Sequence, residues 1–157
     1  MSWCWRRSAA VWLPLLVAAA PCRAQGRTEV TAGVVALASR PAFYGAGLGL
    51  AWRDQERLRL APALQLGAFG DGRFGARAEL SLQFLLDPDR TRGLGLYGGG
   101  GLSAELEGGH VTPYLLLILG AESAPGGKGG PFVELGVGGG ARVAIGYRWR
   151  HPSVPRR

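Results

Sequence analysis

His110 stands in the alternating region of the chain, with Ser103, Glu105 and Glu107 just before it. A serine, a histidine and an acid are the parts of a nucleophilic acyl hydrolase, where the imidazole takes the hydroxyl proton and the carboxylate orients it. No paired motif supports that chemistry here, and a histidine after Gly108-Gly109 also reads as the first residue past a tight turn. The run Gly98 to Gly101 is no phosphate loop, because no Gly-Lys-Ser/Thr follows it. No group of His, Cys, Asp or Glu has metal-ligand spacing. The expectation is therefore no catalytic residue, no cofactor and no metal. Arg77 and Glu79 are better placed for ion pairing. They lie two apart, on one face of a strand, and Arg59 on the neighbouring strand can join them.

The elements that position these residues begin after a distinct leader. Arg6 and Arg7 precede the apolar run Ala9 to Ala20, and Pro21-Cys22-Arg23-Ala24 follows. A charged start, a short apolar stretch and a small residue describe a signal peptide, too short for the ~20 apolar residues of a spanning helix. Residues 1–24 are read as that peptide, cut after Ala24, with 25–150 as the barrel domain and 151–157 as a short tail. A competing lipoprotein reading keeps Cys22 as the acylated residue, but Ala20-Pro21 fits a lipobox poorly. Cleavage removes Cys4 and Cys22, so the mature chain has no disulfide and no thiol nucleophile. With Arg6, Arg7 and Arg23 it also lowers the formal charge from +7 to +4, too mild and too scattered to argue for nucleic acid.

All 27 glycines lie after the leader. Disorder goes with low hydrophobicity and high charge, whereas this chain is 47% hydrophobic and 18% charged. The glycines therefore sit inside ordered apolar segments, and those segments have a period of two. Phe74, Ala76, Ala78, Leu80, Leu82, Phe84 and Leu86 oppose Gly75, Arg77, Glu79, Ser81, Gln83 and Asp87, with Leu85 the one large apolar intruder. Leu58, Leu60, Leu64 and Leu66 oppose Arg57, Arg59 and Gln65. Val143, Ile145, Tyr147 and Trp149 oppose Arg142, Arg148 and Arg150.

Turn residues divide the chain into strands near 28–38, 42–53, 56–69, 72–86, 92–106, 111–122, 131–138 and 141–150. The last break is the weakest, since one phase runs from Val133 to Trp149. A hairpin there needs an odd loop such as Gly138 to Gly140; without it the count falls to six or seven.

Alternation also suits a soluble sandwich or a lipocalin-like barrel with the apolar face inward. Segments of 12–15 residues favour a membrane crossing over the ~5–6 of soluble strands. Aromatics on the apolar face fall in two tiers, Tyr44 and Phe74 at the outer ends, Trp52, Phe84, Tyr147 and Trp149 at the inner ends. The polar face combines Arg59, Arg77, Glu79, Gln83, Glu105 and Glu134 with many glycines, the filling a narrow lumen can hold. Tyr114 to Leu119 resists this scheme. A barrel would place Leu116 and Ile118 in the lumen, against neighbouring glycine faces, whereas a sandwich would make the segment a central strand.

Together with the leader and the alternation, Leu94-Gly-Leu-Tyr-Gly-Gly-Gly-Gly-Leu102 and Ala144-Ile-Gly-Tyr-Arg-Trp149 make residues 28–150 resemble small outer-membrane β-barrels of the OmpA-barrel or OmpX-like kind. The resemblance implies an all-β, antiparallel up-and-down transmembrane barrel of about eight strands in the outer membrane. It also implies contact with outer-membrane lipid and with the assembly machinery, which reads a C-terminal aromatic. Tyr147 and Trp149 match, but His151 to Arg157 follow them, and Pro152 and Pro155 forbid a continuing strand. The expected function is that of a monomeric, non-catalytic barrel with a structural or surface-interaction role. The alternatives are a soluble module binding an apolar ligand and a lipid-modifying enzyme that uses His110.

Overall fold

Where apolar and polar residues alternate, the backbone of this computed structural model is extended, and each change of direction falls at glycine, proline or aspartate; residues 27–54 and 57–151 are described. Eight strands result: β1 (Arg27–Ala38), β2 (Phe43–Arg53), β3 (Leu58–Phe69), β4 (Phe74–Leu85), β5 (Leu94–Glu107), β6 (His110–Ser123), β7 (Gly129–Val137) and β8 (Ala141–His151). The leader, residues 1–24, and the tail beyond His151 lie outside the described residues.

Each strand pairs antiparallel with its sequence neighbour, and β1 pairs with β8, closing the barrel without an edge. The register of β7 on β8 decides the strand count. Val137 faces Ala141 across Gly138 to Gly140, Gly139 takes φ +85°, and Gly138 N–H donates to Gly140 O. This three-residue loop keeps Val133 to Trp149 in one phase while reversing the chain, so the count is eight. At the β5–β6 turn, Glu107 faces His110 and both Gly108 and Gly109 have positive φ, the two-residue hairpin that glycine makes at no steric cost.

Most boundaries shift by one or two residues from the expected ones, and two of these shifts have a clear cause. β7 begins at Gly129 rather than 131, because Gly129 and Gly130 still pair with Trp149 and Arg148. β5 likewise extends to Glu107, where the hairpin pair with His110 holds it. At Gly129 and Gly130 glycines that read as breakers continue the ladder, whereas Gly108 and Gly109 do make the turn.

Inside the barrel, glycines make room for rings. A Cβ on Gly45 would lie 2.8 Å from the Phe43 ring, one on Gly120 2.3 Å from Tyr97 and one on Gly146 2.8 Å from Phe132. The inward aromatics thus fill the volume the glycines leave, an aromatic covering of strand glycine. Val35, Leu37, Phe43, Phe69 and Ala144 form an apolar cluster at the end of the barrel away from Arg27 and His151, the termini of the described chain, with the Phe43 and Phe69 rings 5.2 Å apart. Leu116 and Ile118 do point into the lumen, fully buried, and Ile118 packs against Gly136 as the glycine-face reading required.

Candidate functional site

Because successive side chains alternate across a strand, closing the sheet separates the two faces completely. All six polar residues singled out from the sequence, Arg59, Arg77, Glu79, Gln83, Glu105 and Glu134, are inside. The six aromatics, Tyr44, Trp52, Phe74, Phe84, Tyr147 and Trp149, are on the outside, and each is more than two-fifths exposed. Ladder positions set their levels. Tyr44 and Phe74 both face Ala68 near the far end, whereas Trp52 faces Thr28 and Trp149 faces Val30 near the termini.

The lumen holds two linked ion-pair clusters. In the half near the termini, Arg59 places Nε 2.9 Å from Glu29 Oε2 and Nη2 2.7 Å from Glu122 Oε1. The other Glu122 oxygen receives Arg148 and, at 3.0 Å, Arg150 Nη2. In the far half, Arg77 joins Glu79 at 2.8 Å and Glu105 at 2.7 Å, while Arg142 reaches Glu79 and Glu134 at 2.9 Å each. Tyr97 connects the halves. Its hydroxyl donates to Glu134 Oε1 at 2.8 Å, and its ring lies 5.4 Å from the guanidinium carbons of both Arg59 and Arg148.

Arg59 does not join Arg77 and Glu79, as its strand position had suggested. The register pairs Arg59 with Gln83 and Gln65 with Arg77, so Arg59 sits well along the barrel and pairs across the lumen with Glu29 and Glu122. Gln65, Arg142, Arg148 and Arg150, read from the sequence as polar-face residues, are inside as well, and Glu29, Arg53, Tyr97 and Glu122 join them without having been singled out. Their signal was phase: each occupies the inward position of its strand. What the sequence withholds is which carboxylate meets which guanidinium across the barrel.

Chemically this interior holds charge in fixed pairs and leaves little space. A void of about 60 Å³ lies beside Gln65, Glu79, Ser81, Gln83, Glu134 and Arg148. That is room for about two water molecules, far below the ~300 Å³ at which ligand pockets begin. The hydrolase set is not assembled. Ser103 is buried and receives Arg77 Nη2 at 2.8 Å, whereas His110 is exposed on the far rim, beside the hairpin pair with Glu107. Among the described residues no cluster of His, Cys, Asp or Glu could hold a metal ion.

Outside, the surface is apolar. Leu48, Leu64, Leu66, Leu80, Leu82, Leu102, Leu115, Leu117, Leu119 and Ile145 are roughly half exposed or more. With arginine and glutamate within and leucine without, the barrel has the polarity of a transmembrane barrel, the reverse of a soluble one.

The sequence matches no family profile, and no curated protein gives a significant match to it. The solved structures it resembles agree with its polarity. The N-terminal β-barrel domain of Pseudomonas aeruginosa OprF superposes with a TM-score of 0.62 at 14% identity, covering 80% of this chain and 99% of that domain. Neisserial surface protein A gives 0.54 at 12% identity, covering 82% and 97%, and a de novo designed transmembrane β-barrel gives 0.52 at 17%, covering 78% and 95%. This chain has the fold of the small outer-membrane barrels.

Proposed function

We propose that the protein is a monomeric outer-membrane barrel, exported on its leader, with a structural or surface-interaction role and no catalysis. The observation that carries the reading is the inverted polarity: about thirty exposed large apolar side chains surround a lumen of buried arginines and glutamates. In water such a surface would aggregate, whereas in a bilayer it meets acyl chains. Both described ends of the chain lie at one end of the barrel, which we orient toward the periplasm. Tyr147 and Trp149, with ring centroids 5.0 Å apart on the outer face of the last strand, are what we offer to the assembly machinery.

The role is that of a closed barrel and not a pore. Phe43 and Phe69 fill the far end, and the ion pairs fill the rest. The soluble alternative needs an apolar ligand cavity, and the interior that would hold it is charged and filled. Cell fractionation with detergent extraction, followed by gels of heated and unheated samples, tests the proposal. The protein is expected in the outer-membrane fraction, with unheated samples migrating as a compact barrel. Recovery as a soluble monomer without detergent would overturn it.

A further inference from the structure

Charge inside the barrel is unevenly divided along its axis. In the half near the termini, Arg53, Arg59, Arg148 and Arg150 surround only Glu29 and Glu122. Asp89 reaches Arg53 from the rim at 3.8 Å, and Glu134 reaches Arg148 at 3.9 Å while holding Arg142 more closely. In the far half the balance is reversed, with Arg77 and Arg142 set among Glu79, Glu105 and Glu134. The mouth near the termini therefore carries a surplus of buried guanidinium charge, which low-dielectric surroundings make costly to leave uncompensated.

A cavity of about 130 Å³ opens at that mouth, lined by Arg27, Gly126, Gly127, Lys128 and Arg150. No acidic side chain lines it. Arg27 Nη1 donates to Gly126 O at 3.0 Å, and Arg150 Nη1 to Ala124 O at 3.0 Å, so both guanidiniums are held against the β6–β7 turn. Neither Arg27 nor Lys128 meets a carboxylate among the described residues. The volume is about four times a water's share of the liquid, enough for a tetrahedral oxyanion. Guanidinium and ammonium groups on the residues lining such a space are the donors that recognise phosphate.

We infer that this mouth is an anion site for a phosphate group, held by Arg27 and Lys128 with Arg150 behind them. The group can belong to an anionic phospholipid headgroup at the membrane surface or to a free phosphate. The lipid source rests on the membrane placement proposed above; the phosphate contacts do not.

The refolded mature chain in uncharged maltoside micelles is titrated with inorganic phosphate, and amide shifts are followed by NMR. A parallel series places it in nanodiscs of phosphatidylcholine with or without phosphatidylglycerol. Saturable shifts confined to the amides of Gly126, Gly127, Lys128 and Arg150 are expected. The R27A/K128A double variant should weaken binding by about a hundredfold, since each charge-assisted contact is worth roughly a factor of ten. Because Arg27 also braces Gly126, K128A and K128E alone serve as variants that leave that bond in place. R73A, on the opposite rim, is the control. Shifts with inorganic phosphate support a soluble ligand, and shifts only with phosphatidylglycerol support a headgroup. Absence of saturable shifts in both series, shifts unchanged in R27A/K128A and K128E, or shifts equally lost in R73A would each overturn the site. A barrel that proved soluble would end the lipid reading while the phosphate titration could still be run in buffer.

Discussion

Tyr97 and Glu134 meet across the interior, from β5 to β7, in a hydrogen bond of 2.8 Å that no backbone ladder connects. It ties the two charged halves of the lumen together, and both residues are almost wholly buried. Tyr97→Phe keeps the ring on Gly120 and removes only the donor. A hydrogen bond to a buried charged group contributes about 1.5–3 kcal/mol, so the variant should lose about that much in urea unfolding from lipid vesicles. An unchanged midpoint would show that Arg142 alone satisfies Glu134.

Arg142 carries more. It is the shared partner of Glu79 and Glu134, at 2.9 Å from each. Arg142→Met leaves two carboxylates short of a cation inside the barrel and should cost about 3–5 kcal/mol, seen as loss of the compact band at lower urea. Adding Glu79→Gln to that variant should recover part of the loss, because one of the stranded charges is then gone.

Leu80 lies midway along β4 on the outer face and is 48% exposed. Leu80→Arg should destabilise the barrel by about 2–4 kcal/mol in a bilayer. On a water-facing surface the same change would be close to neutral. Equilibrium unfolding in lipid reads the difference directly.

Glycine on the inner face of β5 is required by close backbone approach. A Cβ on Gly101 would sit 1.9 Å from the carbonyl oxygen of Leu80 on the neighbouring strand. Outward-facing Gly98 would meet nothing tighter than the tip of Leu119, at 3.2 Å. Gly101→Ala should therefore cost about 1–3 kcal/mol, whereas Gly98→Ala should fall within about 0.5 kcal/mol of the parent. Equal effects would mean that the inner glycines are not closing the barrel.

At the β3–β4 turn, the Arg73 guanidinium donates to Asp71 Oδ2 at 2.9 Å and also pairs with Glu107. Its hydrogen bond holds the Asp71 carboxyl below the ordinary value of 3.8. A depressed carboxyl stabilises the hairpin at pH above its ordinary value, and that contribution is lost as pH falls through the folded one. Carboxyl NMR titration should find Asp71 below its ordinary value in the parent and returned to it in Arg73→Ala.

The strands and their faces were legible because one property, the period of two, survives in nearly every segment, Tyr114 to Leu119 being the exception. Even the ambiguous stretch from Val133 to Trp149 contained its own solution, since only an odd loop preserves phase through a reversal. Two things were not legible. Inward Phe43, Phe69 and Phe132 break the polar phase, and they are tolerated because a glycine two residues on or across the ladder leaves space for each ring, a fact of packing and not of pattern. The pairing of Arg59 with Glu29 and Glu122 depends on which strands oppose each other across a closed circle, which no local window contains.

The ladder between β1 and β8 runs from Thr28 and His151 to Ala38 and Ala141, joining the first strand of the barrel to its last. Its effect is on timing. Until β8 arrives, β1 and the current last strand each present a row of unpaired amides and carbonyls, which hydrocarbon does not accept. Partial insertion therefore offers no resting place, and the chain commits to the bilayer only once its final segment is in hand. Contacts so distant in sequence also make closure slow.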